Sequence, residues 1–368
     1  MKKIELLYLI LSKVLKRRKK NQVIKSTAEL FKLYGTEKIR LSKLEKQKII
    51  HVWNKVKINK RYFYHRFYKA HFGYFDERFV PTDIYSQFFE NRLNPKEYSL
   101  FLQHKGMLKH FVPVENRPET IVSIINAIIF DENNVQITKE KAIIKLLNYD
   151  RFVVKPSVDS GGGKNVQIIH IDKSDKQGST KSINDLFLKY GKDFICQKII
   201  EQHEEFKRFN PDSINTIRIV TLNLNNKVSL LTAFFRIGNI GQIVDNVTSG
   251  GMFIGIKPDG YLHNSATNYK WEKILKSPVG IVFEGSYIDN YERIKNTVIE
   301  FHKLIPLASM IAWDVTVDNN NRVCIIEINL DSVDLVPEQF YNGPLFGDRT
   351  EEVIEYCLNN QQKPRFIF

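Results

Sequence analysis

The sequence predicts an α+β protein with a helical N-terminal region, and three observations predict it. Two β-rich runs flank Asp318-Asn-Asn-Asn321, the pattern of a hairpin. From about residue 100 onward, short apolar runs alternate with segments of helical periodicity. Residues 1–99 read instead as Lys-rich helices. The expected divisions are a basic helical region at 1–99, a subdomain with a Gly-rich loop at 100–205, and a subdomain carrying the hairpin at 206–368.

Composition bounds the class. With 368 residues, 43% hydrophobic and 26% charged, the chain has the balance of a soluble protein with sizeable cores. The net charge of +14 is unevenly placed: residues 1–70 carry +17 and the remainder −3. That asymmetry argues for docking on an anionic surface and against an extended nucleic-acid groove, so no nucleic-acid partner is expected. Cys196, Cys324 and Cys357 show no pairing or metal-ligand spacing, which suits a reducing cytoplasm. The nine histidines form no HxxH or HExxH pair, which argues against zinc.

The elements follow in order. Ile4, Leu7, Leu11, Val14 and Leu15 form an apolar stripe that ends in Lys16-Arg-Arg-Lys-Lys20. Too short to span a bilayer and lacking a cleavage site, residues 1–20 read as a basic amphipathic helix on anionic lipid. A helix packed on its own domain is the other reading. Tyr64, Phe67, Tyr68, Phe72 and Phe75 share one helical face and are expected in the core rather than as a platform for bases. After Pro81 a helix restarts, with Thr82 or Asp83 as its cap.

Phe111–Val114 and Thr120–Ser123 are strand candidates, and a helix opens at Thr138 and runs to Leu147. The strands Phe152–Lys155 and Val166–His170 bracket Ser160-Gly161-Gly162-Gly163-Lys164. Such glycines let backbone N–H groups cradle phosphates, although a Gly-rich hairpin without a ligand reads the same way. The spacing is neither GxxxxGK[ST] nor GxGxxG. Phe194–Ile200 is a strand leading into Glu201, and Asn215 and Arg218 interrupt the apolar run Ser213–Thr221. Lys227–Arg236 and Gln242–Asn246 are expected to continue the sheet, followed by Met252–Ile256. A helix at Tyr291–Leu304 turns Ile294, Val298, Phe301 and His302 inward, and Arg349–Leu358 is the last helix.

The hairpin carries the chemistry. With Asn320-Asn321 as a two-residue loop, counting outward sets Asp314 opposite Glu327, and alternation puts Asn329 on the face of Glu327. Opposed carboxylates destabilise a sheet unless something compensates. Two carboxylates and an amide oxygen suit Mg²⁺ or Mn²⁺, while an ordinary solvated face is the other reading.

In combination, Lys155, the glycine run, Phe194–Ile200, Arg218 and Asp314 with Glu327-Ile-Asn329 resemble the ATP-grasp superfamily, in which two α+β subdomains clasp ATP. Asn215-Thr-Ile-Arg218, Arg236-Ile-Gly, Asp245-Asn246 with Gly250-Gly251, Trp313-Asp314 and Gly343-Pro-Leu-Phe-Gly-Asp348 are similar to its sugar-transfer-associated family, which is linked to bacterial surface polysaccharides and capsule. The resemblance implies that Lys155 and Lys105 hold ATP phosphates, with His104 where the family usually has an acid. It implies that Ser160, Gly161, Gly162 and Gly163 close over the β- and γ-phosphates. Gln197, Lys198, Ile200 and Glu201 would form the hinge around adenine. Asp314, Glu327 and Asn329 would hold Mg²⁺ or Mn²⁺, and Arg218, Arg236 and Asn246 would form the catalytic set. Ala312 stands where many ATP-grasp ligases carry an arginine.

The implied activity is an ATP-dependent, ADP-forming carboxylate–amine ligase joining a sugar or glycan acid to an amine or amino acid. The implied place is the cytoplasm, peripheral at the inner membrane face. A kinase acting on a glycan hydroxyl, with Asp245 or His263 as base, and a non-catalytic glycan- or lipid-binding module are the alternatives.

Overall fold

The structure is a computed structural model that describes residues 31–56, 62–158, 163–243, 245, 250–331 and 335–360. The helix expected at 1–20, the run Ser160-Gly161-Gly162 and Asn246 lie outside these residues. The chain forms two compact units, residues 1–92 with 335–368 and residues 93–334. These boundaries are drawn differently from the expected 1–99, 100–205 and 206–368.

In the first unit the aromatic stripe is core. Tyr64, Phe67 and Tyr68 of the helix Phe63–Phe72 are buried, and Gly73, at φ 77°, ends that helix before Phe75. Tyr68 stacks on Phe79 at 4.1 Å and His71 meets Phe340 at 3.9 Å. The C-terminal residues join this unit through Gln339, which is wholly buried. Its Oε1 accepts from Val80 N at 2.9 Å and Leu345 N at 3.2 Å, and its Nε2 donates to Val80 O and the Tyr68 hydroxyl. Every polar atom of that carboxamide is matched, which makes its burial tolerable. The helix at Thr82–Ile84 is capped by extended Pro81, so neither Thr82 nor Asp83 serves as its cap.

The second unit holds two antiparallel sheets. The first has five strands in the order β2-β1-β5-β3-β4. They are β1 Thr120–Ile125, β2 Ile128–Asp131, β3 Arg151–Pro156, β4 Gln167–His170 and β5 Phe194–Gln197. Helices Lys139–Leu147 and Lys176–Tyr190 cover it, burying Ala142, Leu146 and Ile183 against Val122, Phe152 and Val154. Thr138 caps the former, its Oγ1 accepting from Lys141 N. Phe111–Val114 is not a strand; it links the 3₁₀ turns Lys105–His110 and Val114–Asn116.

The second sheet has seven strands in the order β10-β9-β8-β7-β6-β11-β12. They are β6 Thr216–Leu224, β7 Lys227–Ile237, β8 Met252–Gly255, β9 Ala266–Asn268, β10 Lys273–Ile274, β11 Met310–Val317 and β12 Val323–Asn329. Gln242 and Ile243 lie outside every strand. The helix Tyr291–Lys303 buries Ile294, Val298 and His302, four residues apart, in the core beneath Trp313 and Val315. His302 is hydrogen-bonded on both ring nitrogens, to Thr221 Oγ1 at 2.6 Å and Ala308 O at 3.0 Å. Burial lowers its pKa to about 4, which fits a structural role for a neutral ring.

Candidate active site

The hairpin brings the two carboxylates together by a route the count did not foresee. The loop has three residues, 319–321: Asp318 N–H donates to Arg322 O, and Asn321 sits at φ 59°. A bulge then separates the pairs Val315–Ile325 and Asp314–Glu327. The two departures cancel, so Asp314 faces Glu327 across the ladder as expected. The bulge leaves Ile326 unpaired. Ile325 and Ile328, three residues apart, therefore both reach the core, while Ile326 and Glu327 both line a cavity of ≈ 220 Å³.

Around that cavity the charges interlock. Asp314 of β11 is in register with Arg218 of β6, which donates from Nε to Oδ1 and from Nη2 to Oδ2, the latter at 2.8 Å. Arg236 Nη2, on β7, lies 3.1 Å from the same Oδ2, and the Asn329 amide donates to it at 3.3 Å. Asp314 is almost wholly buried, so the forked guanidinium is the partner it requires. Lys105 Nζ lies 2.8 Å from Glu327 Oε2. Burial alone would raise the Glu327 pKa, but Lys105, Asp314 and Lys155 outweigh it and hold the carboxyl well below its usual range.

Lys155 stands apart. It sits in β3 with 6% of its surface exposed and lines the same cavity, yet its ammonium makes no hydrogen bond or ion pair among the described residues. Burial, and then the neighbouring charge of Lys105, lower its pKa to about 8. An almost buried, unmatched cation that opens on a cavity is built to meet an anion.

Other expected residues divide. Gln197, Lys198, Ile200 and Gly163 line the cavity. Gln197 Oε1 is buried without a partner, and Lys198 N–H is already given to Glu119 O at 2.9 Å. Glu201 does not line it; its carboxylate accepts from Asn319 Nδ2 at 2.7 Å, beside the hairpin loop. Asn215 serves as scaffold: its amide is buried and bonded to Gln202, Phe206, Asn210 and Ser213.

Two cavity residues that bear on the site, Ile326 and Thr216, lay outside the expected set, and a third, Asp245, was expected only as a base for the kinase alternative. Ile326 is there because of the bulge, which no local pattern announced. Thr216 donates its hydroxyl to Asp245, accepts from Arg236 Nε at 3.0 Å, and was visible as the second residue of Asn215-Thr-Ile-Arg218. Asp245, 3.4 Å from Arg236 Nε, has its pKa raised by burial against the pull of that arginine. His263, the other base considered, does not line the cavity.

The donor set fits a hard divalent cation: two carboxylates and an amide oxygen on adjacent strands, opening on one cavity. Among the described residues no three His, Cys, Asp or Glu gather to hold a metal, and the third donor of this set is the Asn329 amide. Lys105, Lys155, Lys198, Arg218 and Arg236 outnumber Asp314, Glu327 and Asp245, which leaves the cavity short of negative charge. A polyphosphate would supply it.

No curated protein is similar in sequence. Among solved structures the chain is similar in fold to the VanG D-Ala:D-Ser ligase of Enterococcus faecalis, at 13% identity and TM-score 0.40, covering 70% of this chain and 61% of that one. It is also similar to a biotin carboxylase of Campylobacter jejuni, at 13% identity and TM-score 0.42, covering 72% and 47%. An L-amino acid ligase of Bacillus licheniformis is similar at 10% identity and TM-score 0.37, covering 70% and 48%. The chain thus spans between about half and three fifths of these proteins. The sequence matches the family described as sugar-transfer associated ATP-grasp over residues 85–355, a span that holds both sheets and every charged residue of the cavity. The protein belongs to the sugar-transfer associated ATP-grasp family.

Proposed function

We propose that the protein is an ADP-forming ligase that joins the carboxylate of a sugar or glycan acid to an amine, in the building of a bacterial surface polysaccharide. The observation that carries this reading is the buried Lys155, unmatched among the described residues, on one cavity with a hairpin whose carboxylates are already held by Lys105, Arg218 and Arg236. Lys155 and Lys105 would bind phosphate oxygens of ATP, with Gly163 beside them and Gln197, Lys198 and Ile200 at the adenine end. Asp314, Glu327 and the Asn329 oxygen would hold Mg²⁺, which when bound neutralises charge between the phosphates.

The substrate carboxylate oxygen attacks the γ-phosphorus, and the bond from that phosphorus to the oxygen bridging to the β-phosphate breaks, releasing ADP. The acyl phosphate carries spread negative charge that Arg218 and Arg236 can share by forked hydrogen bonds. The amine then attacks the acyl carbon, phosphate leaves, and the nitrogen loses a proton. The test is mass spectrometry of products after incubation with ATP, Mg²⁺ and panels of uronic acids and amines. One ADP and one free phosphate per amide, with a hydroxamate formed when hydroxylamine replaces the amine, is the expected result. A phosphate retained on a hydroxyl would make the protein a kinase, a reading favoured by Asp245, whose raised pKa suits a base.

Residues 1–20 would hold the enzyme at an anionic membrane face; among the described residues no helix is long and apolar enough to cross a membrane. Removing them should weaken binding to phosphatidylserine vesicles, and added salt should weaken binding of the intact chain. Equal binding by both proteins would assign that segment to packing.

A further inference from the structure

Gln103 lies two residues before the lysine that pairs with Glu327, and its carboxamide faces the end of β12. Oε1 accepts from Leu330 N at 2.9 Å and Asp331 N at 3.2 Å. Nε2 donates to Asp331 Oδ2 and to Ser99 O, each at 3.2 Å, and that Asp331 oxygen also accepts from Ser99 Oγ at 2.9 Å. Leu330 and Asp331 are the first residues after Asn329, where the ladder stops and backbone N–H groups lose their cross-strand partners. A carboxamide that accepts from two N–H groups and donates to a carboxylate takes the place of a further strand there.

The next two residues reach the other sheet. His104 Nδ1 accepts from Gly106 N at 3.1 Å, and its Nε2 lies 3.6 Å from Asp193 Oδ1, just before β5. Lys105 N–H donates to Ser157 O at 3.0 Å, two residues beyond Lys155, while Lys105 Nζ pairs with Glu327. Three consecutive residues thus touch the end of the hairpin, the sheet carrying Lys155, and the hairpin carboxylate itself.

We infer that Gln103 is a positioning residue for the magnesium site, clamping the end of β12 so that Glu327 and Asn329 keep their places relative to Lys105 and Lys155. The inference rests on the assignment of Glu327 and Asn329 as Mg²⁺ ligands. Glutamine, and not glutamate, is required because the partner is the Asp331 carboxylate: a second carboxylate would repel it and could not donate. Groups that hold metal ligands in place commonly change metal affinity by about tenfold or more when removed.

The test uses the full chain and a fluorescent N-methylanthraniloyl ADP, titrated with and without Mg²⁺. In the wild type Mg²⁺ should tighten nucleotide binding. In Gln103→Leu that gain should shrink by about tenfold while Mg²⁺-free affinity stays unchanged. Amide hydrogen exchange at Leu330 and Asp331 should speed up without any ligand, because their acceptor is gone. Gln103→Glu should lose the gain as well, and Gln103→Glu with Asp331→Asn should restore part of it, because the swap reverses donor and acceptor between these two side chains while the bond to Ser99 O stays lost. This pair carries the test if Gln103→Leu fails to fold. An undiminished Mg²⁺ gain in Gln103→Leu, an equal loss with and without Mg²⁺, or no recovery in the double variant would overturn the inference. A wild type without any Mg²⁺ gain would overturn the metal assignment beneath it.

Discussion

The two sheets of the second unit bring opposite kinds of electrostatics to one cavity. The seven-stranded sheet supplies Asp314 together with its own counter-ions, Arg218 and Arg236, from neighbouring strands. Its charges are matched before any ligand arrives, and their geometry is fixed by the ladder. The five-stranded sheet supplies Lys155 with no partner among the described residues. One side is a finished network and the other an open valence. Preorganised charge stabilises a reacting group without reorganisation, whereas an unmatched buried cation draws its partner from the substrate.

The largest expected effect follows from breaking the finished side. Asp314→Asn should abolish Mg²⁺-dependent turnover and also lower stability by about 3 kcal/mol, because two guanidiniums lose a buried partner. Glu327→Gln should abolish turnover with a smaller fall in Tm, since its ion pair with Lys105 is more exposed. Steady-state assays beside thermal melts check both. Full turnover in both variants would remove the hairpin from the chemistry, and equal melting losses would erase the contrast between them.

Lys155→Met probes the open side and should act in the opposite sense on stability. Nucleotide affinity should fall by about tenfold or more, since a charge-assisted phosphate contact disappears, and isothermal titration with ATP reads this. The folded-state pKa of about 8 lies below the ordinary lysine value of 10.5, so burying the charged form costs about 3 kcal/mol at pH 7. That cost fades as pH rises from about 8 toward 10.5, so the wild type should gain stability across that window. The Met variant should lack the gain and be the more stable protein at pH 7. Parallel pH dependences in denaturant melts would show that Lys155 is matched after all.

The smallest effect on activity separates two adjacent isoleucines. Ile325→Ala opens a hole in the core and should cost about 2–4 kcal/mol. Ile326→Ala should leave stability nearly unchanged and weaken nucleotide binding, because the bulge turns that side chain to the cavity. Chemical denaturation and nucleotide titration on both variants decide it. A core-like penalty at Ile326 would deny the bulge.

Much of this was legible in the chain itself. Alternation in 311–331 set Asp314 against Glu327, the face shared by Ile294, Val298 and His302 placed its helix, and the aromatic stripe at 64–68 read as core. These rest on contacts between neighbours in sequence, where strand and helix periods leave a direct trace. Even the hairpin count reached the right pair through two errors, a loop one residue longer and a bulge that restored the register. Tertiary structure alone decided that Glu201 turns to Asn319 and away from the cavity, and that Phe111–Val114 stays out of any sheet. It alone decided that Gln339 draws the C-terminal helices into the N-terminal unit, and that the Lys155 ammonium has no partner among the described residues while Arg218 and Arg236 converge on Asp314. The physical reason is distance along the chain: a hydrogen bond between Val80 and Gln339, or an ion pair between Arg218 and Asp314, is formed by packing distant segments, and no local period records it.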